Sequence, residues 1–327
     1  MKKLITMVVV CILITSVSIL VVAKPLIGSS NNSESTEIRT IRANKRSTNH
    51  VRLYANIPYK TIGNKKLKLH LLIPEGHKSK PKPLIIFVKG SGWGKNKPQD
   101  SFMFIPQLAE FAKKGYVVAS VEHRTSHEAK FPAQIQDVNA AVLFLKNNAK
   151  EYQINPKLVG VWGTSSGGHL AALLGTGCHV LELRGEKSDS KYNSCVQVVV
   201  DWYGPTDFLQ MSKATPSYYA EAPESAESLL IGAPILENKE KVRKANPITY
   251  VTKDSPPFLI MHGDEDKRVP FNQSELLYEA LKKNGVDATL IKVKGGGHGS
   301  GFSNPEILKI VQEFFDKHLN SNDMKKT

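Results

Sequence analysis

Short apolar runs alternate with stretches of helical spacing between residues 51 and 320 of this 327-residue chain. Uninterrupted apolar runs predict buried strands, and apolar residues recurring every three or four positions predict helices packed on a sheet. The predicted buried strands are Pro83–Val88, Tyr116–Val121, Val159–Trp162, Val196–Val200, Phe258–Met261 and Thr289–Val293, and the main predicted helices are Gln134–Tyr152, Ser274–Asn284 and Pro305–Leu319. This alternation predicts one α/β domain over residues 51–320, built on a doubly wound, mostly parallel sheet.

Residues 205–256 interrupt the alternation. Their apolar positions, such as Met211 and Leu230, are scattered among Pro, Ser and Glu without a sustained period. In chain order the segment lies between the predicted strands Val196–Val200 and Phe258–Met261. Two interpretations stay open: a small lid-like insertion that shapes a pocket, or ordinary surface helices packed on the sheet.

The N-terminus carries an export pattern. Lys2 and Lys3 precede an uncharged apolar stretch, and Val21-x-Ala23 ends it, which is typical of a secretory signal over residues 1–23. About 20 apolar residues also suffice to span a bilayer, so an uncleaved anchor stays open. Either interpretation predicts an extracytoplasmic protein. Residues 24–50 are rich in Ser, Asn, Thr, Lys and Arg and predict a flexible basic tether, and residues 321–327 form a tail.

Two cysteines, Cys178 and Cys195, follow the apolar N-terminal segment and flank a polar stretch. In an oxidising compartment such a pair predicts a disulfide. Closing a loop of this size stabilises a fold by about 3 kcal/mol in the chain-entropy model. The sequence has no Cys-x-x-Cys pair and no histidine cluster, so it predicts no metal site.

A serine flanked by glycines follows one of the predicted buried strands. Gly163-Thr164-Ser165-Ser166-Gly167 comes directly after Val159–Trp162 and precedes a stretch of helical composition. A nucleophilic serine must stand clear of the sheet on a sharp turn, and glycines two positions away on either side remove side chains that would collide there. The context predicts that Ser165 is a catalytic nucleophile.

Polar residues with acid and base chemistry follow two later strands. Asp266 lies in His262-Gly-Asp-Glu-Asp266, and His298 follows Gly295-Gly-Gly. Because open α/β sheets build their sites at the carboxyl ends of strands, both residues are expected near Ser165. His298 is predicted to act as general base, and either Asp266 or Asp264 to orient it. His169, four residues after Ser165, is interpreted as a packed helix residue.

The loop Lys89-Gly90-Ser91-Gly92-Trp93 follows the strand Pro83–Val88. In a serine hydrolase of this arrangement, that loop and the residue after the nucleophile supply the backbone N–H groups of an oxyanion hole. One donor is therefore assigned to Ser166 and the other to Ser91 or Gly92. Trp93 and Tyr203 each follow a strand end, so both are predicted to line the substrate pocket, although each could equally be a core aromatic.

Taken in order, these motifs resemble the acetyl esterase and feruloyl esterase-like group of α/β-hydrolases, from about Asn56 to His318. The resemblance also rests on Asn56-Ile-Pro-Tyr59, Glu122-His-Arg124, Phe131-Pro-Ala-Gln-Ile-Gln-Asp-Val138 and Asp201-Trp-Tyr-Gly-Pro-Thr-Asp207. It implies an α/β-hydrolase fold and a Ser-His-Asp mechanism. His262-Gly-x-x-Asp266-x-x-Val-Pro270 resembles the acid loop of that superfamily, which makes Asp266 the expected acid and Asp264 its competitor. The chain departs from many relatives at Lys89 and Ser91, in place of His and Gly, and at Ser166, in place of Ala. These changes keep the N–H groups but weaken any inference about the substrate.

The expected function is an exported serine carboxylesterase that hydrolyses small acetyl or aryl esters, including esters carried by a sugar, without metal or organic cofactor. A prolyl-peptidase-like exopeptidase or amidase, and a non-catalytic binding protein, are the alternatives. The net charge of +14 and the basic tether predict only a weak, salt-screened attraction to an anionic envelope or membrane surface. No nucleic-acid motif occurs, and the oligomeric state is not predicted.

Overall fold

The computed structural model describes residues 19–22, 50–75, 80–94, 102–185, 190–211 and 221–319. The predicted signal or anchor, the tether and the tail lie outside these residues, apart from residues 19–22 and His50. Among the described residues, no helix combines the length and the apolar character that crossing a membrane requires.

One sheet organises the described residues. Its strands are β1 (Ile19–Val22), β2 (Val51–Ile62), β3 (Lys65–Pro74), β4 (Lys82–Val88), β5 (Val117–Val121), β6 (Ile154–Thr164), β7 (Val198–Trp202), β8 (Phe258–Gly263) and β9 (Ala288–Val293). Their order across the sheet is β1-β2-β3-β5-β4-β6-β7-β8-β9. β3 pairs antiparallel with both β2 and β5, whereas the strands from β5 across to β9 pair in parallel. The predicted mostly parallel sheet is therefore confirmed.

Eight α-helices lie among the described residues. They are α1 (Ile105–Lys113), α2 (Ala133–Asn147), α3 (Ser166–Gly177), α4 (Leu181–Arg184), α5 (Ala226–Ile231), α6 (Lys239–Ala245), α7 (Asn272–Lys283) and α8 (Pro305–Leu319). Short 3₁₀ turns occupy Phe208–Gln210 and Pro247–Tyr250. The helix predicted over residues 134–152 ends at Asn147, five residues early, because residues 148–153 turn the chain back into β6.

Helices cover both faces of the sheet, which explains why the central strands have no polar face. Along β4, Ile86 and Val88 belong to the apolar cluster that contains α2, α3 and α7. Their neighbours Ile85 and Phe87 belong to the second cluster, formed with α1 and α8. Since successive side chains in a strand point to opposite faces, a strand buried on both sides appears as a continuous apolar run. The doubly wound arrangement follows from this two-sided burial.

The described part of residues 205–256 packs beside the loop after β4. A Cβ atom placed on Gly92 would lie 3.6 Å from the Cβ of Ala226, the first residue of α5. The Phe131 N–H donates to the Leu230 carbonyl over 2.8 Å, which ties α5 to the segment that enters α2. A lid over the pocket stays a prediction, because residues 212–220 lie outside the described residues.

Cys178 and Cys195 form the predicted disulfide, with their Cα atoms 5.1 Å apart and a sequence separation of 17. The bond joins the C-terminal end of α3 to the chain that leads into β7. His179 lies beside the pair, 4.0 Å from the Cys195 sulfur. These three residues are the one described group with the spacing of metal ligands, but the disulfide uses both thiols.

Candidate active site

The turn between β6 and α3 holds Ser165 in a strained conformation. Its backbone adopts φ 54° and ψ −125°, in the positive-φ region that residues with a Cβ rarely occupy. A Cβ on Gly163 would stand 2.0 Å from the Gly167 carbonyl oxygen, and a Cβ on Gly167 would stand 2.0 Å from the Val88 oxygen. Because no side chain fits at these distances, both glycines of the motif are required by packing.

Backbone hydrogen bonds hold this turn in place. The Ser165 N–H donates to the Trp202 carbonyl of β7 over 2.8 Å, and the Ser165 carbonyl accepts from the His169 N–H over 3.0 Å. The first bond fixes the turn to the neighbouring strand, and the second begins α3. The neighbouring elements therefore stabilise a conformation that the isolated segment would not keep.

Ser165, His298 and Asp266 form one chain of hydrogen bonds. His298 Nε2 lies 2.9 Å from Ser165 Oγ, and His298 Nδ1 lies 2.7 Å from Asp266 Oδ2. An ionised carboxylate only accepts, so Nδ1 carries the proton and Nε2 is left as the acceptor for the serine hydroxyl. This tautomer is the one that can take a proton from Ser165. The His298 side chain is 19% exposed and the Asp266 side chain is fully buried.

Four donors surround the Asp266 carboxylate. Oδ1 accepts from the backbone N–H groups of Arg268 and Val269 over 2.8 and 2.9 Å. His298 contacts Oδ2, and His262 Nε2 lies 3.4 Å from the same oxygen. Burial alone would raise the pKa of Asp266, but the contacts with His262 and His298, the charge of His298 and the Val269 N–H outweigh it and hold the pKa well below its usual range. Asp266 therefore stays ionised in the pH range in which histidine titrates.

His262 is a site residue to which the sequence reasoning gave no role. It is fully buried, with Nδ1 2.7 Å from the Ser274 hydroxyl and Nε2 2.8 Å from the Val269 carbonyl. Because a carbonyl only accepts, Nε2 carries the proton and points it toward Val269 and Asp266. Its position as the last polar residue of a buried strand, four residues before Asp266, was the available signal.

Asp264 makes a different contact. It is exposed, and its Oδ1 accepts from the Gly295 N–H over 2.7 Å. This bond joins the loop after β8 to the loop after β9. Of the two acids proposed from the sequence, Asp266 is the one that lies against His298.

The loop after β4 leaves one of the two alternative N–H donors free. The Gly90 N–H donates to Thr164 Oγ1 over 2.9 Å, and the Ser91 N–H donates to the hydroxyl of Ser166 over 2.8 Å. No described residue accepts from the N–H of Gly92 or of Ser166. Of the Ser91 and Gly92 alternatives, the free N–H belongs to Gly92.

The two aromatic residues predicted to line the substrate pocket are buried. Trp93 is 1% exposed and packs against His169 and Phe208, and its Nε1–H donates to His169 Nδ1 over 3.3 Å. Tyr203 is 6% exposed, and its ring lies edge-on to His298 with the centroids 4.9 Å apart. Trp93 therefore packs as a core aromatic, the alternative that the sequence left open, and pocket lining stays a prediction for both residues. Tyr203 supports the position of the His298 ring.

His169 is the packed helix residue that the sequence indicated. Its Nδ1 accepts from Trp93, so Nε2 carries the proton that is shared with the Ala245 carbonyl over 2.7 Å. Burial lowers the pKa of His169 to about 4, although the bond to Ala245 opposes the shift. The neutral ring joins the loop after β4 to α3 and to the end of α6.

A cleft of about 420 Å³ opens beside His298. Glu265, Lys267 and Arg268, from the loop that carries Asp266, form its other described walls. This polar opening gives solvent a route to the imidazole.

Asp201 is a buried carboxyl group beneath the start of α3. Oδ1 accepts from the Gly204 N–H over 3.0 Å, whereas Oδ2 has no hydrogen-bond partner among the described residues. Burial raises the pKa of Asp201 to about 7, and the Gly204 contact opposes this only in part. The group is therefore neutral at mildly acidic pH.

We expect Asp201→Asn to stabilise the protein at alkaline pH, because asparagine keeps the oxygen that accepts from Gly204 and cannot ionise. Below the ordinary pKa of 3.8, Asp201 is protonated in both the folded and the unfolded protein, so its ionisation does not affect stability. Between pH 3.8 and about 7, the carboxyl ionises in the unfolded protein but not in the folded one, so wild-type stability falls as pH rises. At about 1.4 kcal/mol per pH unit, the free energy of unfolding lost across this range is at most about 4 kcal/mol.

Denaturant unfolding of both proteins from pH 4 to pH 9 measures the effect. The stability difference in favour of the variant is expected to grow up to pH 7 and then level off. A difference that does not vary with pH would contradict the assignment of this proton to Asp201.

Comparison with known proteins places the chain in a family. The BD-FAE family model matches residues 69–281. A truncated carbohydrate esterase from gut microbiota has a structure with a TM-score of 0.72 and 35% identity, covering 81% of this chain and 95% of that one. The butyrate-bound esterase Est2 of the planctomycete Thermogutta terrifontis has a TM-score of 0.65 at 25% identity, covering 80% and 93%.

The curated relatives of this chain also include esterases. Esterase LipC of Mycobacterium tuberculosis (strain ATCC 25618 / H37Rv) is 30% identical over 224 residues, which are 68% of this chain and 54% of LipC. The chain thus spans about half the length of the curated relatives it matches. The family match covers more than half of the chain, and the nearby structures share its sheet and helices. The chain therefore belongs to the BD-FAE family and has the α/β-hydrolase fold.

Proposed function

We propose that this protein is an exported serine carboxylesterase that hydrolyses small acyl esters by way of an acyl-enzyme. The observation that carries the proposal is the hydrogen-bonded chain from Asp266 through His298 to Ser165, with distances of 2.7 and 2.9 Å. Three segments that are far apart in the sequence meet here in the geometry that nucleophilic catalysis requires.

In the proposed mechanism, Ser165 Oγ attacks the acyl carbon while His298 Nε2 takes its proton. The imidazolium then returns this proton to the departing alcohol oxygen, which leaves the acyl group on Ser165. Water attacks the acyl-enzyme in the same way, and the acid product leaves. Asp266 stays ionised and stabilises each imidazolium, consistent with its lowered pKa.

The free backbone N–H groups of Ser166 and Gly92 are proposed to bind the oxyanion. The Ser166 N–H is the first of α3, and the positive end of the helix dipole there favours an anion. Gly92 follows the Gly90 and Ser91 N–H groups, which are already bonded. Donors fixed before substrate arrives cost no reorganisation when charge develops.

The proposed substrates are acetyl or aryl esters, including esters carried by a sugar. Membership of the BD-FAE family and the similarity to a carbohydrate esterase support this class. Est2, which has a related fold, binds butyrate, and this supports a substrate with a short acyl group. An exopeptidase or amidase remains the alternative that the same triad permits, and a non-catalytic binding protein is the other.

Export is proposed from the pattern of residues 1–23, with residues 24–50 as a basic tether. Arg39, Arg42, Lys45 and Arg46 would add a weak attraction to an anionic surface that salt screens. Fractionation of cells that express the full chain tests this. Recovery in the cytoplasmic fraction would contradict export, and retention on an anionic matrix that ignored salt would contradict the electrostatic attraction.

The first test of catalysis is hydrolysis of p-nitrophenyl acetate by the wild-type protein and by Ser165→Ala. Loss of the nucleophile is expected to lower kcat by about 10⁶, to background. Equal activity in both proteins would mean that Ser165 is not the nucleophile. If the wild type is inert on esters and cleaves peptide amides, the peptidase alternative replaces this proposal, and inertness on both substrates would favour binding alone.

A matched pair of substitutions tests the role of the acid. Asp266→Asn is expected to lower kcat by about 10⁴, because an amide no longer selects the tautomer of His298 or stabilises its charge. Asp264→Asn makes the same change two residues away and keeps an oxygen for the Gly295 N–H, so its kcat is expected to change less than about tenfold. The reverse order of the two effects would exchange the roles of the two acids.

A further inference from the structure

The hydroxyl of Ser166 occupies an unusual position for the residue that follows a nucleophile. It lies 2.8 Å from the Ser91 N–H, which belongs to the loop proposed to bind the oxyanion. Ser166 is 1% exposed, and its own N–H is the unbonded first N–H of α3. The hydroxyl therefore lies between one N–H of the loop and the start of the helix.

The bond to Ser91 uses one lone pair of the hydroxyl oxygen and leaves the hydroxyl proton to be donated. No described residue accepts that proton. The Ser166 N–H, proposed to contact the oxyanion, belongs to the same residue. An anion at a helix N-terminus can accept from both the N–H and the O–H of one serine when the two groups point to the same side.

We propose that the Ser166 hydroxyl is a third, side-chain donor to the oxyanion, polarised by the Ser91 N–H. This inference rests on the proposed esterase function. The proton stays bonded to Ser166 Oγ throughout, so no covalent bond forms or breaks at this residue. The Ser91 N–H then stabilises the negative charge through the hydroxyl rather than directly, while the N–H groups of Ser166 and Gly92 contact it.

The physical reason is cooperativity between hydrogen bonds. A hydroxyl that accepts from an N–H becomes a stronger donor, and in a buried site this polarisation is not screened by water. Because the oxygen is anchored by Ser91, only the hydroxyl hydrogen has to rotate as charge develops on the substrate. The donor is therefore largely preorganised, which is the condition under which an oxyanion contact contributes to the rate.

If the Ser166 hydroxyl does not donate to the oxyanion, the substitution should have the opposite effect. The Ser166 oxygen would then only accept from the Ser91 N–H and so remove a direct donor from the oxyanion hole. Alanine at position 166 would then free the N–H and raise the rate. A slower Ser166→Ala variant therefore indicates that the hydroxyl donates to the oxyanion, and a faster one indicates that it only withholds the Ser91 N–H.

The test is Ser166→Ala in the full-length protein, with kcat and KM for p-nitrophenyl acetate and the inhibition constant of an aryl trifluoromethyl ketone. The ketone forms a charged tetrahedral adduct with Ser165, whereas the substrate ground state is neutral. We expect kcat to fall about 10- to 100-fold, somewhat less than the usual cost of one oxyanion donor because two direct N–H groups remain. The affinity for the ketone should fall by the same factor, with KM changed less than about twofold.

Ser120→Ala is the matched control. It also removes a buried serine hydroxyl, which has no partner among the described residues and lies on β5, two strands from β6 in the sheet. Its kinetics are expected to match the wild type. Thermal unfolding and titration of the active serine with a fluorophosphonate confirm that each variant is folded. If Ser166→Ala does not fold, Ser166→Cys, which keeps the shape but donates weakly, should show the same loss of kcat and of ketone affinity.

Three outcomes would overturn the inference: a Ser166→Ala rate equal to or above the wild type, a higher KM at unchanged kcat, or a kcat loss without loss of ketone affinity. Either of the last two outcomes would mean that the hydroxyl only holds the loop after β4 in place. A wild-type enzyme that is inert on esters refutes the proposed function itself, and is thus distinguished from failure of this inference.

Discussion

The crossing of the β6–α3 turn over the end of β4 is the constraint on which the site depends. Gly163, Gly167 and the Val88 carbonyl approach so closely that an added Cβ at either glycine would lie 2.0 Å from a carbonyl oxygen. This packing forces Ser165 to φ 54°, and the bond from its N–H to Trp202 keeps it there. It also brings the Ser166 hydroxyl against the Ser91 N–H, so Ser165 and the loop proposed to bind the oxyanion are positioned by one contact.

The loops after β8 and β9 also approach each other closely, and this contact aligns His298 with the turn that carries Ser165. β8 and β9 are parallel neighbours, so the loops that follow them leave the sheet side by side. The Glu265 N–H donates to the Gly296 carbonyl and Asp264 accepts from the Gly295 N–H, over 2.9 and 2.7 Å. These bonds hold the two loops together independently of the contact between His298 and Asp266. Asp266 and His298, the proposed acid and base, are thus prearranged by residues that have no part in the proposed chemistry.

Buried ionisable groups at this site differ in charge according to their partners. Asp266 has several donors and stays ionised, because hydrogen bonds outweigh its desolvation. Asp201 is more deeply buried and has one donor, and its pKa rises to about 7. His169 lies between a donor and an acceptor that select one neutral tautomer, and burial lowers its pKa to about 4. The number and type of hydrogen-bond partners, rather than depth alone, decides the charge of each group.

By itself, the sequence determined the fold class, the strand that precedes Ser165 and the order of serine, acid and histidine, because hydrophobic periodicity and glycine spacing are local properties of the chain. Only the tertiary structure decided which N–H of the loop after β4 is free, that Trp93 is buried against His169, and that His262 contacts Asp266. Each of these depends on distances between side chains or on the rotation of a peptide group. Ser91 and Ser166 are 75 residues apart in the chain, and they meet only because β4 and β6 are neighbours in the folded sheet.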